Sequence, residues 1–198
     1  MFTVGITGGI ATGKSLATDF FAARDIDIID ADKISRSLQE PGQEGYEAIV
    51  KKFGTAVLLK DQTINRSELR TLAFSNKDNK KWLEDLMHPM IAQKVLKGFE
   101  QAKSKWAVYS APLWSEKNKF NRVMVIDAPR SQQIERIIKR DNSSVELAGQ
   151  IVDQQLHRHQ RVGFANDFLM NDSSIESFES KLNFYFNLYN KLADDKKS

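Results

Sequence analysis

Apolar positions along the chain alternate between two periods. Phe2-Thr3-Val4-Gly5-Ile6 is a short, mostly apolar run of strand type, and Leu16, Phe20 and Ala23 then recur at helical spacing. Ile26-Asp27-Ile28-Ile29 predicts a second strand, which ends in Asp30-Ala31-Asp32. From Lys33 to about Lys103 the pattern is helical. Tyr46, Ile49, Val50 and Phe53 form one stripe, stopped by Gly54. Asn65 to Glu68 reads as a capping box opening a helix with Leu69 and Leu72. Trp82, Leu83, Leu86 and Met87 form the next stripe; Pro89 breaks or restarts that helix, and Ile91, Val95 and Phe99 continue it. About seventy residues is far more than a strand-to-strand crossover needs, so this stretch reads as a helical insertion over the active-site face.

Strand signals return at Trp106 to Ser110 and at Arg122 to Ile126, the latter ending at Asp127. A helix follows with Ile134, Ile137 and Ile138 on its buried face and Arg136 and Arg140, four apart, on its polar side. Ser143 to Glu146 reads as a second capping box, for a helix that carries Leu147, Ile151, Val152 and Leu156 into His157-Arg158-His159-Gln160-Arg161. Phe168-Leu169-Met170 is a fifth strand. The last helix is amphipathic, with Ile175, Phe178, Leu182, Tyr185, Phe186, Tyr189 and Leu192 on one side and a polar, frayed tail from Asp194 to Ser198. Strands alternating with helices predict an α/β fold: a five-stranded parallel sheet with helices on both faces.

Composition narrows the class. With 198 residues and a 41% hydrophobic fraction, one domain with an insertion is expected. Twenty-nine Lys plus Arg against 26 Asp plus Glu leaves +3, which suits polyanionic small molecules and is too weak to argue for nucleic acid. The chain has no cysteine, which excludes disulfides and thiolate metal sites. No signal-type start and no apolar run near the ~20 residues of a membrane span are present, and no obligate protein partner is evident, so a cytoplasmic protein is expected.

The chemistry enters at Gly8-Gly9-Ile10-Ala11-Thr12-Gly13-Lys14-Ser15, which fits G-x-x-x-x-G-K-[ST] between the first strand and first helix. Gly8 and Gly13 allow backbone angles that let successive N–H groups point inward. Lys14 supplies a point charge for β- and γ-phosphates, and Ser15 offers a hydroxyl to Mg²⁺ at a helix N-terminus that favours anions. Asp30 and Asp32 follow a strand end, where ligands bind in open α/β sheets, and are expected to share the crevice. Either aspartate has a plainer reading too, Asp32 as a helix cap and Asp30 as a turn cap or a water-mediated Mg²⁺ support. Asp127 is a candidate magnesium carboxylate or a structural strand end.

These motifs together resemble dephospho-coenzyme A kinases over residues 2 to 175. The resemblance is carried by the phosphate loop, by Asp30-Ala31-Asp32 with Arg36 and Pro41-Gly42, by Ile64-Asn65-Arg66-Ser67-Glu68-Leu69 and by His88-Pro89. Pro112, Leu113 and Glu116, then Arg136 to Asp141, Gln155, Arg158, Arg161 and Asn171, complete it in the same order. Two departures fall in the loop: the family usually has Gly at Ala11 and a small residue at Leu16. A third follows the third strand, at Leu113-Trp114-Ser115. The resemblance implies a single P-loop kinase domain over 1–198. Its nucleotide core would comprise 1–32, 104–138 and 166–198, with an acceptor-binding insertion at 33–103 and a helical lid at 139–165.

The resemblance also implies the reaction, transfer of the γ-phosphoryl of ATP to the ribose 3′-hydroxyl of dephospho-CoA with Mg²⁺, the last step of coenzyme A biosynthesis. Asp32 would accept or orient the hydroxyl proton, with Lys14 and Arg140 completing the catalytic set. Gly8, Gly9, Ala11, Thr12, Gly13, Lys14, Ser15, Leu16, Arg140 and Arg158 would bind the nucleotide, and Ser15 the metal. Asp32, Arg66, His88, Pro112 and Arg161 would bind the acceptor. Another small-molecule P-loop kinase, for a nucleoside or nucleotide acceptor, is the nearest alternative. A GTPase is disfavoured because neither Asn76-Lys77-Asp78-Asn79 nor Asn118-Lys119-Phe120-Asn121 supplies N-K-x-D.

Overall fold

The computed structural model describes residues 1–111, 119–155, 158–163 and 165–196, and of Arg158 and His159 the backbone only. Pro112, Leu113, Glu116 and Leu156, all named above, lie outside the described residues, as does the Arg158 side chain. The described chain divides into two compact units, one of residues 1–30 and 102–198 and the other Ala31–Gln101.

The first unit is a parallel sheet of β1 (Phe2–Gly8), β2 (Asp27–Asp30), β3 (Trp106–Ser110), β4 (Arg122–Asp127) and β5 (Asp167–Met170). Its strand order is β2-β3-β1-β4-β5, which puts β1 at the centre. Chain order reverses on either side of β1, the point at which such sheets open a crevice at their carboxyl edge. Register pairs Phe2 with Trp106 and Val4 with Arg122, so the even positions of β1 share a face with Trp106, Val108, Met124 and Ile126. That face is the main core. Helix α1 (Lys14–Ala22) adds Ala17, Phe20 and Phe21, and the C-terminal helix α9 (Ile175–Asp195) adds Phe178, Leu182, Tyr189 and Ala193. The Trp106 ring meets Phe21 and Tyr189 edge-on at 5.3 and 5.2 Å, and such pairs add about 0.5–1.5 kcal/mol each beyond area burial.

The opposite face carries the buried Ala107 and Val125. Between β4 and β5 lie α6 (Arg130–Asp141), α7 (Val145–Asp153) and α8 (Arg158–Val162), of which α8 packs on β4. The cap of α7 is Ser144, whose hydroxyl accepts from Leu147 N at 3.2 Å, one residue after the expected Ser143. Packing fixes that phase. Helix α7 meets α6 through Ala148 and Gly149, and a Cβ on Gly149 would stand 3.4 Å from the Arg130 guanidinium. With Ala148 and Gly149 on the buried side of α7, the expected core residue Leu147 turns to solvent. Ile175 is likewise exposed, at the first turn of α9 before the helix reaches the core.

The second unit holds the helices α2 (Ala31–Ser37), α3 (Glu44–Phe53), α4 (Arg66–Ser75) and α5 (Lys77–Gln101), with a 3-10 turn at Gly54–Val57. It has its own core of Leu38, Tyr46, Ile49, Val57, Ile64, Leu69 and Met87. Asn65 caps α4 as expected, accepting from Glu68 N at 3.2 Å. Pro89 does not break its helix: α5 runs through it for 25 residues. Proline removes one ladder bond, yet Trp82, Leu83, Leu86 and Met87 before it and Met90 and Ile91 after it bury against one core. Tertiary packing on both sides outweighs the local break. The unit begins at Ala31, ahead of the expected 33, because α2 starts directly where β2 stops and packs on α5. Among the described residues, no helix is long and apolar enough to cross a membrane.

Candidate active site

The site grows from the turn between β1 and α1. Gly8 closes the strand where a Cβ would run into the Ile126 carbonyl oxygen and lie 2.7 Å from Thr12 Oγ1. A Cβ on Gly9 would meet Gln133 Nε2 at 2.9 Å and Gln155 Oε1 at 3.1 Å. Ala11 and Gly13 take left-handed backbone angles, φ 58° and 103°. These two kinks fold the chain into a concave turn ending at Lys14, the first residue of α1.

Every carbonyl from Gly9 to Thr12 is held. The buried Thr12 hydroxyl donates to Gly9 O at 2.8 Å, and Gln133 Nε2 donates to Ile10 O at 2.7 Å. Arg136 Nη1 donates to Ala11 O at 3.1 Å, and Asn171 Nδ2 to Thr12 O at 2.9 Å. In a planar trans peptide the next residue's N–H points opposite to the carbonyl, so the Ala11, Thr12 and Gly13 amides face away from these donors, with Thr12 N reaching back to Gly9 O at 3.4 Å. With the amides that open α1, they make a concavity whose donors suit an anion.

The carboxyl ends of the strands surround the loop. Lys14 Nζ donates to the buried Ser110 Oγ at 3.3 Å, and Ser110 is in register with Asp30 at the end of β2. Asp127, 2% exposed, ends β4, and the Arg161 guanidinium of α8 lies 3.7 Å from its Oδ1. Gln155, just past α7, accepts from Ile10 N at 2.8 Å. Asn171 follows β5 and donates its own N–H to Asp127 O at 2.8 Å. Lys14 and Arg161 therefore stand beside a Gly-rich turn whose outer side Arg136 holds. Such an arrangement suits the β- and γ-phosphates of a nucleotide.

A family comparison decides the class: the dephospho-CoA kinase family model matches residues 2–177. The chain belongs to the dephospho-CoA kinase family. A dephospho-CoA kinase of Pseudoalteromonas translucida is 42% identical over 195 residues, covering 97% of this chain and 93% of that one. One from Coxiella burnetii is 36% identical over 179 residues, covering 88% and 90%. The solved dephospho-CoA kinase of Campylobacter jejuni superposes with a TM-score of 0.65 at 27% identity, over 94% of this chain and 96% of that one. The Thermus thermophilus protein TT1252 gives 0.79 at 22% identity over the same shares and speaks for the fold alone.

The left-handed angle of Ala11 accounts for the glycine usual in dephospho-CoA kinases at this position. Leu16, the second departure, packs partly buried against the main core. Of the other expected site residues, Arg161 lies beside Gly9 and Asp127. Arg140 forks onto its neighbour Asp141 with two 2.7 Å bonds; that pairing raises the arginine and lowers the aspartate from their ordinary values. Asp32 is exposed in the first turn of α2, Arg66 is exposed as the first residue of α4, and His88 is exposed within α5.

Arg136, Gln155 and Asn171 entered the sequence reading as carriers of the family resemblance, Arg136 as a candidate lid arginine, and Gln133 did not enter it. Gln133 had a usable signal: it stands four residues before Ile137 on the buried stripe, and a buried amide must find a partner. Arg136 had its spacing from Arg140, four residues on, although an arginine on a helix is most often solvated.

Proposed function

We propose that this chain transfers the γ-phosphoryl group of ATP to the ribose 3′-hydroxyl of dephospho-CoA, releasing ADP and coenzyme A. The observation that carries the reading is the outward-pinned loop with Lys14 at its end, in a chain of this family. The bond from the 3′-oxygen to Pγ forms as the bond from Pγ to the β,γ-bridging oxygen breaks, and the hydroxyl proton leaves to Asp32. The transition state is loose, so most of the rate comes from position and charge. The loop amides and Lys14 hold the β- and γ-phosphates, and Arg140, Arg158 and Arg161 supply further cations to the polyphosphate. Arg66, His88 and Pro112 bind the acceptor.

The residues fit Mg²⁺. The ion keeps several waters and takes only one or two protein oxygens beside the phosphates. Ser15 offers an exposed hydroxyl in the first turn of α1, and among the described residues no group of three or more His, Cys, Asp or Glu forms a metal cage. When bound, the ion neutralises charge on the β- and γ-oxygens.

The test is a coupled ADP-release assay with a panel of acceptors. Turnover with dephospho-CoA, and none with nucleosides or nucleotides, is expected. In Asp32→Asn, kcat should fall at least ~100-fold, the scale of one general base, while ATP still binds. Folded enzyme that leaves dephospho-CoA unphosphorylated would sink the reading.

A further inference from the structure

We infer that Gln133, Arg136 and Asn171 are positioning residues for the nucleotide: they grip the outer, carbonyl side of the loop and so aim its amides at the polyphosphate. This rests on the reading above that the loop binds ATP. The three side chains reach three consecutive carbonyls, Ile10 O, Ala11 O and Thr12 O, at 2.7, 3.1 and 2.9 Å. Two come from one face of α6 and one from the residue after β5, so rigid elements hold the grip. Gln133 and Asn171 are 4% and 7% exposed. The loop's outer side is thus held by fixed protein donors; a solvated carbonyl would find water equally well and leave its peptide plane free to turn.

The donors are also fixed to one another. Arg136 Nη2 donates to Asn171 O at 3.2 Å and to Gln132 Oε1 at 2.9 Å, and Asn171 N is tied to the end of β4. Asn171 Nδ2 occupies the place a Cβ on Gly13 would take, so the left-handed Gly13 and the asparagine are fitted to each other. An amide aimed in advance at a phosphate oxygen needs no reorganisation when the nucleotide arrives.

The test replaces the donors with neutral side chains of similar size, Gln133→Met and Asn171→Leu, and the fork with a single ammonium, Arg136→Lys. ATP binding is measured by calorimetry without acceptor, and KM for dephospho-CoA by turnover. Each substitution should weaken ATP binding about tenfold, the scale of one lost hydrogen bond. The acceptor KM should stay within about twofold, because the loop is the part disturbed. Arg136→Lys, which keeps the charge, should lose affinity too, separating aim from simple attraction. Variants that melt lower yet bind ATP as the wild type does would overturn the inference, as would an equal loss for both substrates. Where Asn171→Leu does not fold, Gln133→Met carries the test, since it lies outside the Gly13 contact. A wild type that binds ATP but leaves dephospho-CoA unphosphorylated counts against the proposed function and not against this inference.

Discussion

Ala11 is where backbone preference and site geometry conflict. Its φ of 58° costs an L-residue roughly 1–2 kcal/mol, whereas glycine adopts it freely. The neighbouring carbonyls are pinned by Gln133, Arg136 and Asn171, so the chain is held in that angle from outside. Ala11→Gly relieves the strain and gives back about 0.5–1 kcal/mol in unfolded-state entropy. The expected net is a gain of up to about 1 kcal/mol, read as a melting temperature about 2–4 °C higher. A lower melting temperature would show that the alanine is not strained. At Gly9 and Gly13 the demand is steric: side chains from α6, the residue past α7 and the end of β5 take the space a Cβ would occupy.

Among the elements, short ones depend on what ties them down. Strand β2 has four residues, and its first, Asp27, holds the chain where it returns from the helical unit to the sheet. Asp27 Oδ2 accepts from Lys103 N at 2.6 Å, Ser104 N at 2.8 Å and Ser104 Oγ at 3.0 Å. The backbone N–H of Ser104, opposed by burial and helped by Lys103, sets this carboxyl below the ordinary aspartate value. A depressed pKa contributes stability above the unfolded value, and that contribution is lost as pH falls through the folded value. Stability should therefore drop as pH goes below about 4, and Asp27→Asn should flatten this acid limb while lowering stability at neutral pH. Parallel pH curves for the two proteins, followed by chemical denaturation, would rule the anchor out. Helix α5 shows the opposite case: a long element with a core on both sides of Pro89 absorbs a residue that would end a shorter one.

For the whole molecule, the phosphate loop and the strand ends around it belong to the unit of 1–30 and 102–198, while Asp32, Arg66 and His88 belong to the helical unit. In the proposed function the loop serves ATP while Arg66 and His88 serve the acceptor, so substitutions at these residues should separate by substrate. Arg66→Ala should raise KM for dephospho-CoA by about tenfold, the scale of one exposed charge-assisted contact, and leave KM for ATP unchanged. An effect on ATP alone would remove Arg66 from the acceptor side.

Periodicity and short motifs were enough to determine the five strands, the helical insertion, the phosphate loop and the family, because these depend on residue type at fixed spacing. The sequence also placed the Asn65 cap, where the side chain bonds three residues on. Packing between distant segments decided the rest. It moved the α7 cap to Ser144, turned Leu147 and Ile175 outward and carried α5 through Pro89. It also brought residues 133, 136, 155 and 171 onto the backbone of residues 10 to 12. No local pattern announces a hydrogen bond across more than a hundred residues. The loop's residue types are written in eight consecutive positions, but which way its peptide planes face is set by side chains that only the folded sheet brings to it.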